Sequence, residues 1–307
     1  MDSLKGRDLL SMADLTSTEL HELLDLAAQL KNGTKQPKCP NKVLGLVFSK
    51  ASTRTRVSFS VAMYQLGGQI LDLNAGVTQV GRGEPTSDTA RVLDRYLDVV
   101  AIRTFQQAEI EEFAAYANIP VINALTDLEH PCQILADLLT LRETFGSLEN
   151  LTMSYLGDGN NVAHSLMLGC ALAGVNIRVA TPNGYAPDQT VVNQAIDLSQ
   201  GRSAVIVTDD PKAAVQGSHA LYTDVWASMG EESEAQSRIP QFQPYQINQS
   251  MLDLAHDQAI VLHCLPAHRG EEITHDVMEG AHSRIWDQAE NRLHAQKALL
   301  AAILSEV

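Results

Sequence analysis

Positive charge is in short supply in this sequence. Against 37 Asp and Glu it carries 22 Lys and Arg, a formal net charge of −15. A phosphate backbone needs a basic surface, so nucleic acid is excluded as the expected partner. A small anionic ligand is not excluded, because a few arginines in a cleft set the local potential even of an acidic protein. Cysteine is scarce too. Cys39, Cys132, Cys170 and Cys264 stand far apart with no paired spacing, which argues against a disulfide framework or a zinc knuckle and fits a reducing compartment. No apolar run approaches the ~20 residues that a membrane-spanning helix needs. The first residues lack the basic-then-apolar layout of a secretion signal, and there is no repeat or low-complexity tract. These absences predict a cytoplasmic protein with no membrane, no nucleic acid and no metal.

What is present is an alternation. The 307 residues, 45% apolar and 19% charged, suffice for about two ordinary domains. Apolar runs of strand length recur at 43–48, 69–73, 99–103, 121–125, 152–156, 177–181, 205–208, 221–225 and 260–265. Helical patterns fall between most of them, at 18–30, 56–66, 86–96, 110–117, 131–145 and 162–173, with a last helix at 285–303. Near-continuous apolar strands separated by helices predict parallel sheets covered on both faces. The fold expected is α/β with two domains, each a central parallel sheet flanked by helices, the two joined by long helices. Proline suits the first turn of the helix at 131–145, and Gly146 stops it. The junction is therefore placed near 146–150, giving domains 1–147 and 148–284. The helix at 285–307 has no strand after it and is expected to pack back on the first domain. The polar stretch 227–245, with Gly230, Pro240 and Pro244, reads as a structureless loop of the kind that closes over a ligand.

In open parallel sheets ligands sit beyond the carboxyl ends of the strands, and polar residues gather there. Ser52-Thr53-Arg54-Thr55-Arg56 follows the first strand and opens a helix. A helix start offers free N–H groups and a partial positive charge. The hydroxyls and the planar fork of Arg54 add matched donors for phosphate. The plainer reading is a capped helix with solvated arginines. Arg103 ends the third strand, as a second cation for the same anion or as a strand-end arginine in water. His130-Pro131-Cys132-Gln133 starts a helix, and there His130 and Gln133 can face one point. Such a pair can steady an oxyanion and fix an amide, or serve as an N-terminal cap. Gly157-Asp158-Gly159-Asn160-Asn161 lacks the third glycine of a dinucleotide fingerprint, so it suits a polar head group or a helix cap better than NAD. Asp224 ends a strand and suits a cationic group, or forms a turn. In His263-Cys264-Leu265-Pro266 adjacent strand residues point to opposite faces, so His263 and Cys264 are not expected to form one pair. Cys264 lines a ligand site or is an inert thiol.

These strings, in this order, resemble the aspartate/ornithine transcarbamylase superfamily over nearly the whole chain. The arginine pentapeptide and His-Pro-x-Gln are similar to motifs of the aspartate and ornithine branches alike. Asp224-Val225-Trp226-Ala227-Ser228-Met229-Gly230 and His263-Cys264-Leu265-Pro266 resemble the ornithine branch. Further matches are Gln79 to Glu84, Asp88 to Arg91 and Glu290-Asn291-Arg292. The resemblance implies transfer of a carbamoyl group from carbamoyl phosphate to L-ornithine without a cofactor. It implies that Ser52, Thr53, Arg54, Thr55 and Arg103 grip the phosphate, and that Gln79 reaches a phosphate in a neighbouring subunit of a trimer or multiple of trimers. Arg103 and His130, assisted by Thr55, would polarise the carbonyl. Gln133, Arg292, Leu265 through its carbonyl, and Cys264 would attend the carbamoyl end. Asn161, Asp224, Ser228 and Met229 would hold ornithine, with Asp224 facing its α-ammonium and Cys264 managing the attacking amine. A putrescine or modified-ornithine carbamoyltransferase would share the phosphate site, and so would a non-catalytic relative that only binds carbamoyl phosphate.

Overall fold

The computed structural model describes residues 2–74, 83–227 and 235–304. Gln79, Ser228 and Met229 fall outside them. The chain divides into two compact units, Met1–Leu139 with Glu290–Val307, and Thr140–Ala289.

The first unit opens with α1 (Ser17–Lys31). Thr16 and Glu19 close a reciprocal capping box at its start, which satisfies two of the N–H groups that a helix leaves open. Then follow β1 (Val43–Phe48), α2 (Arg54–Gln65), β2 (Gln69–Asn74), α3 (Thr86–Leu93), β3 (Val99–Arg103), α4 (Gln107–Tyr116), β4 (Val121–Leu125) and α5 (Pro131–Phe145). The strands form one parallel sheet in the order β2-β1-β3-β4. The chain therefore reverses its direction of winding between β1 and β3, which places a switch point where Phe48 sits in register with Arg103. β1 and β3 are buried almost throughout, as parallel strands covered on both faces must be. The unit is completed by the C-terminal residues, where Gly6 N–H donates to the Ile303 carbonyl at 3.1 Å and Lys31 Nζ to Asn291 Oδ1 at 2.8 Å.

In the second unit β5 (Thr152–Leu156), α6 (Asn161–Ala173), β6 (Asn176–Ala180), α7 (Gln189–Ser199), β7 (Val205–Thr208), α8 (Pro211–Val215) and β8 (Ala220–Thr223) follow in turn. After them come α9 (Ala235–Phe242), the short α10 (Gln249–Leu252), β9 (Ile260–His263), the short α11 (His275–Met278) and the start of α12 (Ile285–Leu304). The sheet is parallel in the order β7-β6-β5-β8-β9. Its switch point lies between β5 and β8, where Leu156 pairs with Thr223. Helix α6 is buried on every side and ends on Gly174 at φ 75°, the left-handed C-terminal residue that glycine adopts without steric cost.

Three expectations are corrected. The strand expected at 221–225 stops at Thr223, so Asp224 lies just beyond it. The stretch 227–245 is not structureless, since its latter part is α9 followed by a 3-10 turn at Gln243–Tyr245. Phe242 and Tyr245 anchor that part in the core. Helix α7 was not expected, because its buried stripe of Val191, Val192 and Ala195 is sparse. Asp188 starts it by accepting the Thr190 N–H. No helix among the described residues is long and apolar enough to cross a membrane.

Candidate active site

Both switch points carry the polar residues that the sequence singles out. In the first unit the chain leaves β1, and Ser49 N–H donates to the Arg103 carbonyl at 2.8 Å. It then turns into α2 with Thr53 as N-cap. The Thr53 hydroxyl makes no capping bond, so it is available to a ligand. Thr53 and Arg54 are exposed, and Ser52 is half-buried. Arg54 enters no ion pair with a described carboxylate. Arg56 is different: it pairs with Asp72 and its guanidinium lies over the Phe48 ring, so it serves the sheet edge.

Behind this rim the remaining groups are buried: Thr55, Arg103, His130, Gln133 and Arg292. Arg292 organises them. One guanidinium nitrogen donates to Gln133 Oε1 and the other to Thr55 Oγ1 at 3.1 Å, so a single planar fork joins the first turns of α2 and α5. Gln133 Nε2 donates in turn to Asp137 Oδ1 at 2.8 Å. Burial, then the charges of Arg292, Arg103 and Arg54, hold His130 well below the ordinary histidine value. Its imidazole is therefore uncharged at neutral pH, a hydrogen-bonding group amid cations. The turn before it is fixed by Glu129, whose carboxylate accepts from Ser11 Oγ and from Met12 N–H. Nothing in the local sequence pattern announced that tie. Cys132 turns away, with Sγ 3.4 Å from the Asn123 carbonyl, and burial pushes its thiol up to about 12.

In the second unit Gly159 comes so close to the following loop that an added Cβ would stand 2.3 Å from Pro187 N. Only glycine fits there, and the approach aims the next residue. Asn160 caps α6, its Oδ1 accepting from Val162 N–H and Ala163 N–H, while its Nδ2 donates to Asp224 Oδ2 at 3.0 Å. The Tyr155 hydroxyl donates to Asn160 Oδ1 at 3.3 Å. Burial, reinforced by Asp224, keeps that hydroxyl protonated. Asp224 Oδ1 accepts the Val225 N–H at 2.8 Å and the Cys264 thiol at 3.0 Å. Asn160 thus joins Val225 and Cys264 as a donor to Asp224. Asn161, singled out by resemblance, lies half-buried beside Asn160.

β9 ends at His263, so strand alternation does not carry Cys264 to the opposite face. The expectation that His263 and Cys264 are kept apart is corrected: one ligand atom each from Asp224, His263 and Cys264 lie within 4.8 Å of one another. Such a carboxylate, imidazole and thiol set suits a soft divalent ion in kind. Its members are also hydrogen-bonded. His263 Nδ1 accepts the Leu265 N–H at 2.9 Å, which leaves the ring proton on Nε2 to donate to Glu272 Oε1 at 3.0 Å. His263 and Glu272 thus brace Leu265, which sits at φ 62°, a left-handed backbone that a branched side chain rarely adopts. Glu272 is a residue the sequence reading missed. It accepts the His268 N–H at 2.6 Å as well.

A family model described as the carbamoyl-P binding domain of aspartate/ornithine carbamoyltransferase matches residues 7–143, and one described as the Asp/Orn binding domain matches 149–303. This chain belongs to the aspartate/ornithine carbamoyltransferase family. Within the family it is 70% identical to the ornithine carbamoyltransferase of Thermosynechococcus vestitus, over 99% of this chain and 98% of the relative. Solved structures agree. The ornithine carbamoyltransferase of Gloeobacter violaceus matches with a TM-score of 0.90 at 59% identity, covering 97% of this chain and 98% of that one. The Pyrococcus furiosus ornithine carbamoyltransferase matches at 0.95 and 46% identity, over 99% of both chains. The family's two described domains each contain one of the switch points.

Proposed function

We propose that this chain transfers the carbamoyl group of carbamoyl phosphate to the δ-amine of L-ornithine, giving L-citrulline and phosphate. The observation that carries the reading is the buried Arg292 fork between Thr55 and Gln133, beside an uncharged His130. Carbamoyl phosphate already contains a good leaving group, so the protein has to orient it and steady charge on oxygen. Ser52, Thr53, Arg54, Thr55 and Arg103 are assigned to the phosphate. Arg103 and His130 polarise the carbonyl as its oxygen becomes negative. Gln133 and Arg292 hold the carbamoyl group. The δ-ammonium of ornithine first releases its proton. The free amine then forms the new C–N bond, the C–O bond to phosphate breaks with its electron pair going to phosphate, and the remaining excess proton on the attacking nitrogen passes to the departing phosphate.

In the second unit Asp224 is assigned to the α-ammonium of ornithine, with Asn160 and Asn161 beside it. Cys264 takes part in managing the attacking amine. Ser228 and Met229 are assigned to the same substrate, and Gln79 to the phosphate of a neighbouring copy in a homotrimer or multiple of trimers. Reduced cysteines support a cytoplasmic setting. The test is a product assay with carbamoyl phosphate against ornithine, putrescine, N-acetylornithine and aspartate. Citrulline and phosphate in equal amounts are expected with ornithine. Phosphate release without a carbamoylated product, or preference for another acceptor, overturns the reading.

A further inference from the structure

Arg238, on α9, is 5% exposed and has no place in the chemistry described so far. One of its guanidinium nitrogens, Nη1, lies 3.0 Å from Asp158 Oδ2 and 3.0 Å from the Trp226 carbonyl, donating to both. The guanidinium also lies over the Tyr185 ring, 5.1 Å from its centroid. Asp158 stands two residues before Asn160, and Trp226 two residues after Asp224. Asn160 and Asp224 are themselves hydrogen-bonded. A single guanidinium therefore ties together the two loops whose side chains meet at the second switch point.

A buried ion pair is a weak source of stability, because desolvation offsets most of its attraction. Helix α9 also has another anchor: Phe242 packs edge-on against Tyr185 at 4.7 Å and beside Trp226 at 5.8 Å. Holding the helix down thus does not require Arg238. What the pair supplies is geometry, since the two N–H groups of one nitrogen in a planar guanidinium, received by a carboxylate and a carbonyl, fix both acceptors. We propose that Arg238 is a positioning residue for the acceptor substrate: it sets the spacing of Asn160 and Asp224, and so the fit of the amino-acid end of ornithine. The inference rests on the function proposed above.

The test uses the full-length protein and the variants R238Q, R238K, D158N and R238Q/D158N, each checked for folding by its thermal melt. Wild-type turnover with ornithine is measured first. Its absence overturns the function and this inference together, whereas its presence with unaffected variants overturns the inference alone. The expected result is a rise in the KM for ornithine of roughly tenfold to a hundredfold in R238Q and D158N. The KM for carbamoyl phosphate should stay within about twofold. R238K should recover part of the loss, and the double variant should be no worse than the worse single one. Ornithine KM unchanged in a folded R238Q or D158N overturns the inference. So does an equal rise for both substrates, the mark of a general structural role. If R238Q does not fold, D158N and R238K decide.

Discussion

The Cys264 thiol and the Asp224 carboxylate are hydrogen-bonded, Sγ to Oδ1 at 3.0 Å. The same oxygen takes the Val225 N–H, and the other takes Asn160 Nδ2. Three donors on different chain segments thus aim one carboxylate before any substrate arrives, which is the preorganisation that a cationic head group needs.

Asp224→Asn keeps the shape and removes the charge. A hydrogen bond to a charged group is worth about 1.5–3 kcal/mol, so the KM for ornithine should rise about tenfold to a hundredfold. The KM for carbamoyl phosphate should hold. Steady-state kinetics with each substrate varied in turn checks this, and an unchanged ornithine KM counts against Asp224 as the ammonium partner.

Thiol chemistry should single out one cysteine. Cys39, Cys132 and Cys170 are buried, and Cys264 is partly exposed. Burial pushes the Cys132 thiol up to about 12, so it stays protonated and inert. Mass spectrometry after mild alkylation of the native protein should find one modified thiol, lost in Cys264→Ala. Labelling of a second cysteine before unfolding contradicts the structure.

Arg292→Lys keeps a charge and loses the fork that spans Gln133 and Thr55. A compact ammonium cannot reproduce that planar grip. Turnover should fall about a hundredfold or more, measured as kcat at saturating substrates. Activity close to wild type would show that the bridge is dispensable.

Acid should weaken the protein through His130. In the folded chain burial and three arginines hold it well below 6.5, and in the unfolded chain it titrates near ~6.5. Below that pH the unfolded state binds a proton that the folded state refuses, so stability falls as pH falls. Above it the group makes no difference. Melting curves at pH 7.5 and 5.5 should show a larger loss for wild type than for His130→Gln, and equal losses would refute the assignment.

Gly159→Ala tests the close approach. Its Cβ would meet Pro187 N at 2.3 Å and Ala186 C at 2.5 Å, and neither backbone can give way easily. Destabilisation of about 1–3 kcal/mol is expected from chemical denaturation, together with a raised ornithine KM because Asn160 shifts. A stable variant would mean that the Pro187 loop yields.

The strands β1, β3, β4, β5 and β7 coincide with the apolar runs that announced them, because a parallel strand buried on both faces leaves a continuous signal. Helix α7 left only a broken stripe. The 235–245 segment, polar and carrying Pro240, concealed a helix whose anchors are the separated Phe242 and Tyr245. At the site, residue type and strand-end position were legible. Partnership was not. Asn160 reads as a cap in sequence, yet its amide also fixes Asp224 across the switch point. Glu272 and Arg238 have no local pattern, since what recruits them is distance in space.

The first switch point should act as an anion cradle, and Arg54 probes it most cleanly. It is exposed, so removing it should leave the fold intact. Carbamoyl phosphate binding, measured by calorimetry without ornithine, should weaken more than about tenfold in Arg54→Ala, with the melting temperature unchanged. Equal binding by wild type and variant would contradict the central claim.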